Sequence, residues 1–170
     1  TQHNLTLSLH EEATEAAFLC GNFVVMDHLA ETVLQQAKTV LDKVKVYEIK
    51  IQAYFAQHEL LNAVKTGLHV LSLLGLAVPK KPYKLNVLAG YLRTKLALHG
   101  KQPSDLLNLP KMTDPHKLAT MRILTSMATS TYFAAPDLVP LLVFKAVNLS
   151  VKHGNTQDST VYYNAYGMVL

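Results

Sequence analysis

Tryptophan is absent from this chain, cysteine occurs once, and glycine and proline occur seven times each. A lone cysteine excludes a disulfide framework within the chain. The glycines and prolines fall mostly between apolar runs, which suits helices joined by short turns and not a sheet sandwich. Long apolar stretches are missing too. The best, residues 68–78 and 138–151, are too short or are interrupted by His69, Pro140 and Lys145, so membrane insertion is not expected, and no signal peptide is recognised. There is no Gly-x-x-x-x-Gly-Lys-Ser/Thr phosphate loop and no glycine-rich kinase loop, which removes the usual means of holding ATP.

What is present is hydrophobic matter. It makes up 49% of the residues against 16% charged, too apolar a balance for a disordered tail. The net charge is +4, with Lys and Arg spread along the chain. The densest run, Lys80, Lys81 and Lys84 between and beside Pro79 and Pro82, reads as a solvated linker and not as a nucleic-acid or membrane footprint. Cys20 lies among Ala16, Ala17 and Leu19, where a buried thiol in a reducing cytoplasm is expected.

Helical spacing dominates the pattern. Ser8 and Glu11 have the form of a capping box opening a first helix, which Gly21 ends. A second helix is predicted over 23–38. Thr39 or Asp42 caps a third, and a fourth runs to Gly75 with two apolar stripes, as for a helix packed on two sides. Residues 76–83 form a linker, followed by a fifth helix over 84–99 that stops at Gly100. After a loop with a single turn near 104–107, Asp114 and Pro115 make a strong helix start for a sixth reaching about Phe133. A seventh follows Pro136, with Pro140 tolerable only in its opening turn. Gly154 closes it, and Asn155 or Thr156 caps an eighth. The chain opens at Thr1 and stops on Met168-Val169-Leu170 inside that last pattern, so it is expected to be a fragment of a larger chain. The expected organisation is one all-α domain over 1–170: two helix pairs over 1–75, the linker over 76–83, and the remaining helices over 84–170.

An internal repeat underlies the first part. With an offset of 37 residues, Gly21-Asn22-Phe23 aligns with His58-Glu59-Leu60, Met26 with Ala63, Ala30 with Gly67, Val33 with Val70 and Leu34 with Leu71. This resembles the tetratricopeptide (TPR) pattern, although the second turn lacks glycine and residues 100–113 break the period. The expectation is a TPR-like right-handed solenoid of stacked antiparallel hairpins, about seven to eight helices, whose core is shared between neighbours.

The sequence offers little chemistry. The eight histidines, His3, His10, His28, His58, His69, His99, His116 and His153, include no two at ligand spacing, and no metal or cofactor is expected. Glu11 and Glu12 suit a helix N-terminus. Ser126, Thr129, Ser130 and Thr131 have no evident base partner, and Tyr162, Tyr163 and Tyr166 read as interior packing against a further helix.

Several segments resemble a narrower type of region: Leu9-His10-Glu11-Glu12-Ala13, Cys20-Gly21-Asn22-Phe23, residues 41–48, and Met112-Thr113-Asp114-Pro115 with Met121-Arg122-Ile123-Leu124. They look like the helical-repeat middle of very large bacterial signalling proteins, best represented in cyanobacteria. Such proteins carry a Ser/Thr-kinase-like domain and an AAA (STAND) ATPase, often with GAF and histidine-kinase domains following. The resemblance implies a cytoplasmic, non-catalytic scaffold or signal-transmitting segment, with ATP chemistry confined to the parent's other domains. Its partners would be proteins: neighbouring domains of the same chain, another copy as a homodimer, or a peptide. The polar positions Lys45, Gln52, His58 and Asn62 on the paired helices form the expected interaction face. The alternative is a transcriptional-regulator segment touching nucleic acid, motivated by the mild positive charge.

Overall fold

A computed structural model describes the backbone of residues 2–169 and the side chains of residues 5–169, so the side chains of His3 and Asn4 lie outside it. Among the described residues the protein is all-α, with no strand. The described residues form nine α-helices: α1 (Gln2–Leu19), α2 (Phe23–Gln36), α3 (Val40–Ala56), α4 (Leu60–Leu73), α5 (Lys84–Leu98), α6 (Pro103–Leu107), α7 (Pro115–Ala134), α8 (Val139–His153) and α9 (Ser159–Met168). The ninth arises because the single turn expected after Gly100 is a short helix in its own right, α6, opened by Pro103.

Local chemistry sets most of the boundaries. Thr39 accepts from the Asp42 amide at 3.2 Å while Asp42 accepts from the Thr39 amide at 2.9 Å, a reciprocal cap that resolves the choice of start for α3. Asp114 accepts from the amides of His116 and Lys117, and Pro115 occupies the next position, where no amide is needed. Two expectations fail at helix starts. Ser8 does not open α1, which already runs from Gln2, so the Ser8–Glu11 motif lies within the helix. Neither Asn155 nor Thr156 caps α9. The position before α9 is Asp158, while Asn155 is drawn into a clip with an earlier loop, accepting from the Met112 amide and donating its own to the Pro110 carbonyl.

The offset of 37 reappears in three dimensions. α2 and α4 both have 14 residues and start at equivalent positions, and α1 and α3 end at equivalent positions. Gly21 ends the first hairpin's leading helix at φ +71°, and its counterpart His58 adopts φ +61° in the same place. Around them the amides of Asn22 and Glu59 donate to the carbonyls of Ala17 and Tyr54, again 37 apart. The second turn therefore keeps the left-handed geometry of the first without the residue that adopts it most easily.

Packing shows how the pairs are ordered. α1 pairs with α2 and α3 with α4, and α3 also touches both α1 and α2. The next neighbour of α3 and α4 is α7, not α5. α7 pairs with α8 and α8 with α9, while α5 packs chiefly on α8. Residues 76–114, which include α5 and α6, thus interpose no helix between α4 and α7. The main core follows this order, gathering Ile51, Leu71, Met121, Ile123, Leu124, Met127 and Val147 from α3, α4, α7 and α8. Two smaller clusters join α1–α2 to α3 through Leu7, Ala30, Val33 and Val46, and through Met26, Ile49 and Ala53. At the α4–α7 crossing Gly67 has no side chain to spare: a Cβ there would sit 2.5 Å from Met127 Sδ and 3.0 Å from its Cβ.

Two further expectations are revised. Cys20 is exposed, lying just past the end of α1 at Leu19. The tyrosines of α9 turn inward to the chain's own helices. Tyr162 is buried, Tyr163 donates to Asn155 Oδ1 at 2.9 Å, and Tyr166 meets the edge of Phe144.

Candidate functional site

The four polar residues singled out from the sequence are spread over three settings. Lys45 on α3 is committed to α1, with Nζ 2.5 Å from Glu12 Oε1 and 2.9 Å from Glu15 Oε2. Hydrogen bonds to those two carboxylates, Glu12 first and then Glu15, raise its pKa. Gln52 stands exposed two turns further along α3. His58 is exposed in the left-handed turn, and Asn62 in the first turn of α4 donates to Glu59 Oε2 at 2.7 Å. Among the described residues no hydrogen bond or ion pair joins any two of the four. Nor do the described residues bring together three or more His, Cys, Asp or Glu in a group able to hold a metal ion.

Charge points elsewhere. Residues 60–170 hold twelve of the sixteen Lys and Arg but only four of the twelve Asp and Glu, a net of +8, leaving −4 on residues 1–59. Residues 60–104 and 138–157 contain no carboxylate side chain at all. The ion pairs among the described residues follow the same division: Lys45 and Lys50 with carboxylates of α1 and α2, and Arg122 with Glu48, which links α7 to α3. α5 and α8 have none.

These two helices, with Leu76 and Pro79 of the connection before α5, line an open cleft of about 1080 Å³. Its construction starts at Gly90, where a Cβ would lie 2.9 Å from Phe144 Cδ2 and 3.3 Å from Leu141 Cδ1, so the missing side chain is what lets α5 approach α8. One turn on, the buried Thr94 donates its hydroxyl to the Gly90 carbonyl at 2.9 Å. Asn148 Nδ2 bridges Thr94 Oγ1 and the Phe144 carbonyl, each at 2.7 Å, and ties the two helices together. Ala89, Gly90, Leu141 and Phe144 form an apolar floor, with Arg93 on the α5 wall and Lys145 and Lys152 on the α8 wall.

Lys145 is half-buried in that cleft. Burial, and secondarily the positive charge of Arg93, hold its pKa below the ordinary lysine value. Two cations drawn from elements 52 residues apart therefore face one space with no carboxylate beside them. Such a site favours an anionic group presented on an apolar body, since buried charge is costly until it is paired. No family model matches this chain, and no curated protein or solved structure matches it.

The cleft has no counterpart in the linear charge pattern, whose densest run, Lys80, Lys81 and Lys84, is exposed on the connection and at the start of α5. The signal legible in the sequence is the lack of any acidic residue over 60–104 and 138–157, which include both helices of the cleft.

Proposed function

We propose that this chain is a non-catalytic protein-interaction segment: a TPR-like right-handed solenoid of helix hairpins serving a multidomain bacterial signal-transduction kinase/ATPase in the cytoplasm. The observation that carries the reading is the repeated hairpin. Two units match at an offset of 37 in helix ends, left-handed turn and turn hydrogen bonds, and a third pair, α7–α8, follows them. Stacked hairpins of this sort offer extended surfaces to protein partners. The α5–α8 cleft is the receiving site we favour, because Lys45 is already occupied by Glu12 and Glu15. No helix among the described residues is long and apolar enough to cross a membrane.

Excision of residues 1–170 from the full-length protein tests this reading. It should leave nucleotide hydrolysis by the other domains intact and abolish the protein's assembly with its partners. ATP turnover by the isolated segment, or unaltered assembly after excision, would contradict it. The net +8 of residues 60–170 supports one second reading, contact with nucleic acid. Its mark is duplex binding whose affinity falls steeply with added salt.

A further inference from the structure

We propose that the α5–α8 cleft takes an acidic amphipathic helix of a partner protein, whose carboxylates reach Arg93 and Lys145 while its apolar face lies along the leucines of α5. This rests on the interaction-module reading and names the partner's chemistry.

The first observation is a leucine stripe. Leu85, Leu88, Leu92 and Leu96 follow one another at spacings of three and four residues on α5, and they are 76%, 51%, 50% and 76% exposed. At 100° per residue they line one side of the helix, opposite the buried Thr94. Isolated exposed leucines need no explanation, but four in register on one helix form a continuous apolar strip. α5 packs chiefly on α8, so its other side is left uncovered.

The second observation is continuity between this strip and the cleft. Ala89 and Arg93 line the cleft and sit beside the stripe on the helix surface, one turn apart. The strip is thus one lip of the groove, and Arg93 stands between lip and floor. The third is charge. Lys84, Arg93 and Lys95 on α5 and Lys145 and Lys152 on α8 face no acidic residue of either helix. An occupant that completes this surface must be apolar along one line and negative beside it.

A helix meets both demands, because only a helical repeat keeps leucine-like contacts in step with a stripe spaced three and four residues apart. The stripe spans about 16 Å, or three turns of a partner helix. An extended peptide, whose side chains alternate with a period of two, would not keep step with that stripe. A nucleic-acid backbone would use the cations and leave the leucines uncovered.

Synthetic peptides of about 16 residues, long enough to cover the stripe, provide the test by fluorescence anisotropy against the full chain. One carries leucines at helical spacing with glutamates elsewhere, and its control replaces each glutamate by lysine. The acidic peptide should bind, more weakly as salt rises, and the basic control should not. Arg93→Glu with Lys145→Glu should weaken binding about tenfold or more, as should Leu88→Asn with Leu92→Asn. The leucine positions and Arg93 are exposed, so Leu88→Asn/Leu92→Asn and Arg93→Glu alone keep the test valid if Lys145→Glu disturbs folding. Equal binding of the basic control, indifference to these variants, or preferential binding of a DNA duplex would each overturn the proposal. So would concentration-dependent self-association abolished by the same variants, which would make the occupant a second copy of this chain. None of these results bears on the excision test, so the two readings fail separately.

Discussion

Replacing Gly67 by alanine probes the crossing of α4 and α7, on which the order of the hairpins depends. In a helix interior the change to alanine is ordinarily favourable by about 1 kcal/mol, through lower backbone entropy in the unfolded chain. Here the added methyl would lie 2.5 Å from Met127 Sδ, 3.0 Å from its Cβ and 3.1 Å from its Cε. The sulfur sits toward the end of a flexible side chain and can swing away. The Cβ cannot, so relief requires α4 and α7 to separate by several tenths of an ångström around a methionine that is fully buried. Overpacking of this kind costs about 1–3 kcal/mol, which outweighs the propensity gain. Gly67→Ala should therefore lower the urea-derived stability by about 1 kcal/mol net. Gly167→Ala supplies the control. It lies in α9 with nothing within 4 Å of the added atom, so the propensity gain, reduced near the helix end, should appear alone as a small stabilisation. If both variants stabilise, the α4–α7 contact does not exist in solution as described.

Other perturbations follow from single residues. His58→Gly should raise stability by up to about 1 kcal/mol, since φ +61° is unfavourable for a residue with a Cβ; a loss in chemical denaturation would mean the imidazole holds the turn. Tyr162 has a buried hydroxyl without a hydrogen bond of normal geometry, so Tyr162→Phe should be neutral or stabilising by about 1 kcal/mol. Burial pushes its pKa up to about 12, against a smaller opposing effect of the Thr125 hydroxyl. The unfolded tyrosine ionises first, so wild-type stability should fall as pH rises from 10 towards 12, and the Phe variant should lack that component. Lys145 titrates below 10.5 in the folded state, so its buried charge handicaps folding at neutral pH and the handicap fades as pH climbs to 10.5. Lys145→Met should be the more stable protein at pH 7, with a margin that shrinks by pH 10; a constant margin would show that the charge is not penalised by burial.

Much of the fold was legible because its signals are local. The Thr39–Asp42 pair, Asp114-Pro115, and Gly21, Gly75, Gly100 and Gly154, all at positive φ, punctuate the chain where the helices end. Where distant residues decide, the sequence was silent. Ser8 has the form of a cap, yet α1 continues through it, and the Ser-x-x-Glu spacing alone cannot tell a start from an interior turn. The absence of α5 and α6 from between α4 and α7 depends on which helix fits against Gly67, and that is settled by Met127, sixty residues later. The cleft needed the same long-range knowledge. Arg93 and Lys145 are ordinary surface cations in the linear pattern, and only the close approach at Gly90 brings their helices together. The polar face read from α3 and α4 overlooked that Lys45 is tied to α1, a contact made 33 residues away.

The order of the hairpins is most directly read from nuclear Overhauser contacts of the Met127 methyl group in labelled protein. Cross-peaks to the Gly67 α-protons on α4 are expected. Their absence, with Gly67 contacting residues of α5 instead, would place the fifth helix in line with the others and leave no cleft between it and α8.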